Sequence, residues 1–534
     1  MKPQSGGHAT DVAIVGYGPT GQLLALLLGR MGHRVTVIDR WPDLYPLPRA
    51  VHFDHEIGRL LQSAGAAQDV EQILEDAGEY QWRNAHHQVL MAMDWRGLGA
   101  SGWPVANLFS QPALERVLDS HVKIQPTVDL LQGWSVCGLK QDAEGTELTV
   151  EQGGIAGGAW VASGERQVIR ARYVIGADGA NSFVRSCLGC ALHDLGFAFD
   201  WLVVDVIPQT PRVWEPKTWQ LCDPARPTTV VPGGPGRRRW EFMLLPGETP
   251  SSMNRSSVAW DLLEPWNVRP DNAHLERHAV YTFRGQWATQ WRKGRVLLAG
   301  DAAHLMPPFA GQGMCSGMRD AAALSWRLDA VLRGALPDSV LDSYSSERIG
   351  HVKEIIQFSI ELGKVICITD PAIAAERDRQ MLAAASAPDF KPQPPPQPRL
   401  GPGLFQPEAP GSGLLTPQAM VEFKGRTGLF DDVVGRGWVL LCRDQTALAP
   451  LSQAHLDSLE SQAAIALALT GSGLRDVDGA YGAYLDSLGV AAVLIRPDFY
   501  CYGSARQAEQ VSDLVDHWRE SLGLARREAL AIDS

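Results

Sequence analysis

The chain has 534 residues, enough for three or four domains at roughly 150 residues each, and a formal net charge of −12. That balance argues against a nucleic-acid partner: Arg237, Arg238 and Arg239 form too short a cluster to follow a phosphate backbone and would face solvent or an anionic ligand. No apolar run approaches the roughly 18 residues of a membrane span, and eight scattered cysteines form no disulfide framework, so a cytoplasmic protein is expected.

Residues 11–39 read as a strand at 12–15, the glycine triplet Gly16, Gly18 and Gly21, a helix from Pro19 to about Met31, and a second strand at 35–38 ending at Asp39. This is a complete βαβ opening for an adenine dinucleotide. Gly16 permits the tight turn, Gly18 lets the backbone approach a pyrophosphate, and Gly21 lets the helix pack on the sheet. The helix aims its N-terminal amides at the phosphate, and Asp39 is placed to accept hydrogen bonds from a ribose. Gly153-Gly154 and Gly157-Gly158 lie between strand-like segments with no amphipathic helix after them, so they read as a hairpin loop and not as a second nucleotide fold.

A strand at 173–175 stops at Gly176-Ala177-Asp178-Gly179 and turns into a helix, after which the CxxC of Cys187 and Cys190 reads as buried or half-buried thiols. Alternating segments near 201–206, 218–221, 239–244 and 279–283 predict half-buried antiparallel strands. Trp219, Trp240, Tyr281 and Phe283 on these strands are candidates for ligand contact or for sheet core, and Arg284 just beyond could hold a carboxylate or phenolate. A further strand at 296–299 leads to Gly300-Asp301, whose carboxylate suits a ribityl hydroxyl. The segment Pro307-Pro308-Phe309-Ala310-Gly311-Gln312-Gly313 then offers free amides before a helix near Cys315, a nest for negative charge on a reduced isoalloxazine. Asp178 and Asp301 could each be helix caps instead.

With the glycine triplet, Asp178-Gly179 and Gly300-Asp301 are three fingerprints of the single-component FAD-dependent aromatic hydroxylases, and the chain resembles that family. Pro48-Arg49-Ala50, Gly102-Trp103-Pro104, Phe109-Ser110-Gln111-Pro112, Cys222-Asp223-Pro224 and Gly311-Gln312-Gly313 make it similar to the 3-(3-hydroxyphenyl)propionate hydroxylases through about the first 370 residues. The resemblance implies an α/β fold: a Rossmann-like FAD-binding domain at 1–190 and 286–370, with an antiparallel-sheet substrate domain inserted at 191–285. It also implies that Gly16, Gly18, Gly21 and Asp39 hold the AMP half of FAD, and that Arg49 and Gln111 contact the pyrophosphate. Asp301 would hold the diphosphate and ribityl segment, Gly311, Gly313 and Met314 would border the ring, and Asp178 would touch both FAD and NAD(P)H. Cys315 and Ala323 stand where the family usually has asparagine.

The reaction so implied takes NADH or NADPH, O2 and a substituted phenol to a ring-hydroxylated product and water, by way of a flavin C4a-hydroperoxide and without a metal. A sheet roofing the flavin would bring Trp219, Trp240, Phe283 and Pro308 to the substrate. Asp54, with His52 as runner-up, would handle the phenolic proton, and Tyr281 and Arg284 are further catalytic candidates; an Asp capping a helix at 56–64 explains Asp54 equally well.

Pro392, Pro394, Pro395, Pro396 and Pro398 mark residues 371–413 as a stiff extended linker. Strands at 437–442 and 490–495 and an amphipathic helix at 505–522 then build a last unit, 414–534, which resembles the thioredoxin-like C-terminal domain of phenol hydroxylases. It has no CxxC, so a structural or oligomerisation role is expected. The expectation is a homodimeric FAD monooxygenase acting on a phenol. Its rivals are a flavoprotein that oxidises a polyketide quinol or opens a ring, and a non-catalytic FAD-fold protein of the Rab-escort kind, which would lack the 307–313 loop.

Overall fold

The computed structural model describes residues 8–157, 159–387, 397–471 and 473–524. Pro392, Pro394, Pro395 and Pro396 of the expected linker, and Gly158, lie outside them. The chain forms two compact units. The first takes Met1–Gly97, Pro104–Arg319 and Lys353–Pro396; the second takes Leu98–Trp103, Asp320–Val352 and Gln397–Ser534.

In the first unit, strand His8–Val15 pairs in parallel with Ala159–Gly176 on one side and Val35–Asp39 on the other, and Val296–Leu298 and Val128–Gln132 extend the sheet as further parallel strands. Such strands are covered on both faces and therefore read as unbroken apolar runs: Val12, Ala13 and Ile14 are fully buried. Helix Pro19–Arg30 starts with proline in its first turn, where the missing N–H costs nothing, and is buried from Gly21 to Gly29. Thr146–Ala156 and Ala159–Gly176 form the expected hairpin, but Gly153 and Gly154 pair with Ala162 and Val161 inside the ladder beside a bulge. The loop is confined to the turn beyond Ala156, because ladder pairing meets the backbone groups that a loop would leave to water.

A second sheet of eight strands runs in the order His304–Leu305, Ala273–Ala288, Leu192–Pro208, Arg238–Met243, Thr228–Pro232, Thr218–Cys222, Glu79–Asn84 and Val89–Asp94. All neighbours are antiparallel except Thr218–Cys222 and Glu79–Asn84. The last two strands come from the N-terminal stretch, so the sheet is not confined to 191–285. An edge strand leaves a row of N–H and C=O groups unmet, and the alternating segment at 79–84 meets them. One face of this sheet carries Leu202, Val204, Val206, Trp240 and Phe242 against Met253, Ala259 and Leu263 from helices Pro250–Met253 and Ser256–Leu263.

Residues 371–385, expected to open a linker, form helix Pro371–Ala385, because Asp370 caps it by accepting from the amides of Ala372 (2.8 Å) and Ile373 (3.0 Å). In the second unit a four-stranded sheet runs Ile465–Thr470, Val439–Asp444, Ala492–Ile495, Cys501–Ala505, with the first pair parallel and the other two antiparallel. The final helix starts at Val511 and not at Ala505, because residues 501–505 spend their backbone groups on the strand Ala492–Ile495. Among the described residues no helix is long and apolar enough to cross a membrane. All eight cysteines are unpaired; Cys222, Cys315, Cys367, Cys442 and Cys501 are buried, Cys190 is half-buried, and Cys187, against expectation, is exposed with Cys137. Cys187 stands on helix Phe183–Leu188, of which only Val184 and Leu188 turn inward.

The second unit holds a dry ionic cluster. Glu347 Oε2 accepts from Arg327 Nη2 at 2.5 Å and Arg496 Nη2 at 2.8 Å, and Arg496 also grips Asp498 at 2.9 and 2.6 Å. Burial alone would raise the Glu347 pKa, but Arg327 and Arg496 outweigh it and hold the carboxyl below its usual range. Glu347→Gln would leave two guanidiniums buried with too little negative charge, a loss of about 3–5 kcal/mol. The expected readout is a lower urea midpoint for the transition reported by tryptophan fluorescence above about pH 4.3, with the gap closing as the pH falls through the depressed pKa. A variant that unfolds with wild type at neutral pH would show that the cluster contributes nothing.

Candidate functional site

The dinucleotide end is set by three glycines with different neighbours. A Cβ on Gly16 (φ +106°) would fall 2.2 Å from the Ala177 carbonyl oxygen, and one on Gly21 would fall 2.1 Å from that of Gly16, whereas nothing lies within 4 Å of one on Gly18. Packing demands the first and third; the second opens onto free space at the helix N-terminus, the cradle a pyrophosphate needs. Asp39, at the end of its strand, accepts from the amides of Tyr17 (2.6 Å) and Trp41 (2.8 Å), which orients the carboxylate and leaves lone pairs for a ribose. Gln111 accepts from the Ala50 amide and donates to Glu115, each at 2.6 Å, and so fixes the segment that carries Arg49. Burial pushes the Glu115 carboxyl up to about 7, against the pull of Gln111 and Arg49. Asp301 is exposed in the short turn Gly300–Ala302 that follows strand Val296–Leu298.

Asp178 serves its own turn. It accepts from Ser182 Oγ (2.5 Å) and the Val184 amide (3.1 Å) and so buttresses the start of helix Phe183–Leu188, whose cap is Ser182 and not Asp178 itself.

The ring-side loop runs through the turn Pro308–Ala310 to Gly311 (φ +64°) and into helix Gly313–Leu332, with Pro308 and Met314 half-buried. A Cβ on Gly311 would fall 2.7 Å from His52 Nδ1, so the imidazole lies directly against the loop. Burial lowers the His52 pKa below its usual value, leaving a neutral ring. Asp54 is different. Its Oδ1 caps helix His55–Ser63 through the amides of Glu56 (3.1 Å) and Ile57 (3.2 Å), and its Oδ2 accepts from Gln312 Nε2 (2.9 Å) and Arg319 Nη2 (2.5 Å). Burial would raise its pKa, but Arg319 leads a set of groups that hold it well below the carboxylate range. A carboxylate so satisfied is a poor proton acceptor, which corrects the expectation of Asp54 as the base and leaves its capping role. Arg319 also meets Glu56 at 2.5 Å and Gln312 at 2.7 Å, joining strand, helix and loop.

Sheet register decides which aromatic residues share the site. Trp201 pairs with Tyr281 and Phe199 with Phe283, so all four stand on one face. There Trp201 stacks on Phe283 at 6.1 Å and meets Phe309 of the loop edge-on at 5.6 Å. Tyr80 and Trp95 belong to the same cluster, with Trp95 5.5 Å from the His52 ring. Trp240 pairs with Val204 and Trp219 with Val230, which puts both on the far face, where each packs against Trp266. They are sheet core and not substrate contacts. Arg284 pairs with Ala198, alternates away from Phe283 and is exposed near Asp194, so it does not join the cluster. Trp201, Phe199, Phe309, Tyr80 and Trp95 are the cluster members sequence reasoning missed; for Trp201 and Phe199 the parity shared with Tyr281 and Phe283 was the signal, hidden until the register was known, whereas Phe309 and Trp95 lie outside the strands and offered none.

The Arg237–Arg239 run is also sorted by parity. Arg237 pairs with Glu276 at 3.1 Å, Arg238 is buried 4.9 Å over the Trp214 ring, and Arg239 is buried against Asp205.

Residues 9–359 match the FAD binding domain model, and 413–521 match the HcaD C-terminal domain. The chain is 38 % identical over 518 residues, 96 % of its length and 95 % of the relative's, to a probable NADH-specific resorcinol 4-hydroxylase of Rhodococcus jostii. It is 33 % identical to a 3-(3-hydroxy-phenyl)propionate/3-hydroxycinnamic acid hydroxylase of Mycolicibacterium smegmatis, over 95 % of this chain and 92 % of that one. Similarity therefore runs well past residue 370. Among solved structures, the flavin-dependent monooxygenase PieE has a TM-score of 0.77 at 21 % identity, covering 97 % of this chain and 99 % of its own. Aklavinone-11 hydroxylase follows at 0.75 and 23 %, covering 97 % and 100 %, and both speak for the fold. With a glycine cradle, an oriented carboxylate at Asp39 and a glycine-bearing loop through Gly311, a set that fits FAD, the chain belongs to the FAD-binding family of flavin-dependent aromatic hydroxylases and is an FAD-dependent monooxygenase.

Proposed function

We propose that this enzyme hydroxylates a small phenol of the resorcinol kind, with NADH as reductant. The observation that carries this reading is the patch of Phe199, Trp201, Tyr281, Phe283 and Phe309, none of them charged, which holds a fully buried Trp201 whose Nε1 has no hydrogen-bond acceptor. Such a patch suits a flat ring bearing a hydroxyl, since the orphan indole N–H gains what the rest of the fold withholds from it. The resorcinol 4-hydroxylase relative, named as NADH-specific, supports the same choice.

Bound FAD, once reduced, supplies activated oxygen to the ring. The chain's residues bind the ring on the aromatic face, hold its phenolic oxygen at Trp201 Nε1, and take the phenolic proton. A free phenol has a pKa near 10, so a base must accept that proton at neutral pH. His52 is the better candidate: it is neutral, lies against Gly311, and joins the cluster through Trp95.

The discontinuous FAD-binding domain at 1–190 and 286–370 remains our proposed division, with strands 79–94 assigned to the substrate sheet. We also infer a thioredoxin-like arrangement in the last unit, supported by the mixed pairing of its four-stranded sheet, whose strands and the α-helices between and after them follow the order β-α-β-α-β-β-α. A cytoplasmic setting agrees with eight unpaired cysteines. The homodimer is checked by light scattering.

In the direct test, resorcinol should accelerate NADH oxidation and yield a trihydroxybenzene by chromatography; stimulation by 3-(3-hydroxyphenyl)propionate alone would move the substrate to that class. Trp201→Phe should weaken resorcinol binding about tenfold, the value of one hydrogen bond of roughly 1.4 kcal/mol, without changing FAD affinity. Equal binding by variant and wild type would put the phenol elsewhere. His52→Gln should keep FAD and NADH oxidation but lose about a hundredfold in hydroxylation, with hydrogen peroxide in place of product. Full coupling across the pH range would remove His52 from the proton's path.

Glu115 sets a separate expectation for the apoprotein. Its folded carboxyl keeps a proton up to about pH 7, whereas an unfolded one loses it near pH 4.3, so stability falls as pH rises through that window, by at most about 4 kcal/mol. Denaturant unfolding should show this slope in wild type and a flatter one in Glu115→Gln; parallel profiles would refute the assignment.

A further inference from the structure

Burying a guanidinium without hydrogen-bond partners is among the costliest arrangements a fold can hold. Arg277, on strand Ala273–Ala288, is 4 % exposed, and its Nε, Nη1 and Nη2 all lack a partner. The nearest candidates are otherwise engaged. Asp205 has Arg277 across one ladder and Arg239 across the other, and gives both oxygens to Arg239 at 2.7 and 3.0 Å. Glu276 pairs with Arg237, and Glu241, on the same strip, lies 3.7 Å from Arg239 Nη1.

A second cation stands close by. Burial, then the charge of Arg239, lowers the Arg277 pKa to about 10, and Arg49 pushes the same way. Arg49 sits 4.1 Å over the Tyr45 ring, as Arg277 sits 4.8 Å over that of Tyr281. Arg239 Nη1 donates to the Arg49 carbonyl, which ties the two segments together. Two guanidiniums on aromatic platforms, neither in an ion pair with a carboxylate among the described residues, make a seat for an anion with several oxygens and more than one charge.

We propose that Arg277, together with Arg49, holds the diphosphate of a bound dinucleotide. Two dinucleotides bring that group to this enzyme, FAD and NADH, and the NADH case rests on the proposed function above. Phosphate oxygens would meet all three orphan donors of Arg277; a phenol, with one oxygen per hydroxyl, would not.

The test uses the full chain with Arg277→Met, and Arg277→Lys to keep the charge. FAD is titrated into apoprotein by flavin fluorescence, anaerobic reduction of the holoenzyme is followed against NADH concentration, and inorganic pyrophosphate serves as competitor in both. Arg277→Met should raise the FAD Kd or the NADH concentration for half-maximal reduction ten- to a hundredfold, Arg277→Lys should recover part of it, and pyrophosphate should compete in wild type. The constant that moves names the dinucleotide. The Arg277→Met apoprotein should melt no lower than wild type, since an unpaired buried charge has been removed. If both constants match wild type, or if only phenol binding weakens, the proposal is overturned. Should wild type not be reduced by NADH, the cosubstrate reading is wrong and the FAD titration alone decides Arg277. Should Arg277→Met fail to fold, Arg277→Lys and the pyrophosphate competition decide.

Discussion

A buried guanidinium demands acceptors on every side, and Arg319 draws Asp54, Glu56 and Gln312 onto itself to meet that demand. Everything at the ring-side end follows from where those three are held. Asp54 is anchored as the cap of helix His55–Ser63, so the guanidinium fixes the helix Gly313–Leu332 from which it projects against the strand that carries His52. Gln312 transmits the constraint to the loop, and the loop presents Phe309 to the sheet and Gly311 to the imidazole. The charges organise this end of the fold, and the strength of the pairing is what deprives Asp54 of basicity.

The large antiparallel sheet does two jobs with one alternating pattern. Its far face is sealed by Trp240, Val204 and Phe242 under short helices, which makes it stiff enough to hold the opposite face in register. That opposite face changes character along the strands, from the aromatic cluster around Trp201 to the charged strip of Asp205, Arg239 and Arg277. A single strand therefore carries both an apolar seat and an ionic one a few residues apart.

Much of the dinucleotide end was legible in the sequence, because its requirements are local. The spacing of Gly16, Gly18 and Gly21 between an apolar strand and a helix encodes two approaches too close for a Cβ, at Gly16 and Gly21, with an open position at Gly18 between them, and Asp39 closes the unit within the same stretch. The substrate side was less so. Which face of the sheet Trp201 and Trp240 take depends on a parity that one residue of register shift would invert, and no local signal fixes that register. Asp54 carried two readings of equal weight, since the Arg319 that separates them lies 265 positions away in the chain. Strand Glu79–Asn84 pairs with Thr218–Cys222, more than a hundred residues later, a non-local pairing that periodicity alone does not announce.

The buried cysteines bear on how such an enzyme tolerates its own chemistry. Any turnover that fails to hydroxylate releases hydrogen peroxide beside the protein, and thiolates are what peroxide attacks. Burial pushes the thiols of Cys222, Cys367, Cys442 and Cys501 up to about 12 and raises that of Cys315 as well, so at cellular pH the interior offers the oxidant almost no reactive sulfur. Of the two cysteines at the surface, Cys187 has its thiol raised as well, by desolvation and by the charge of Asp178, which leaves Cys137 as the remaining exposed thiol.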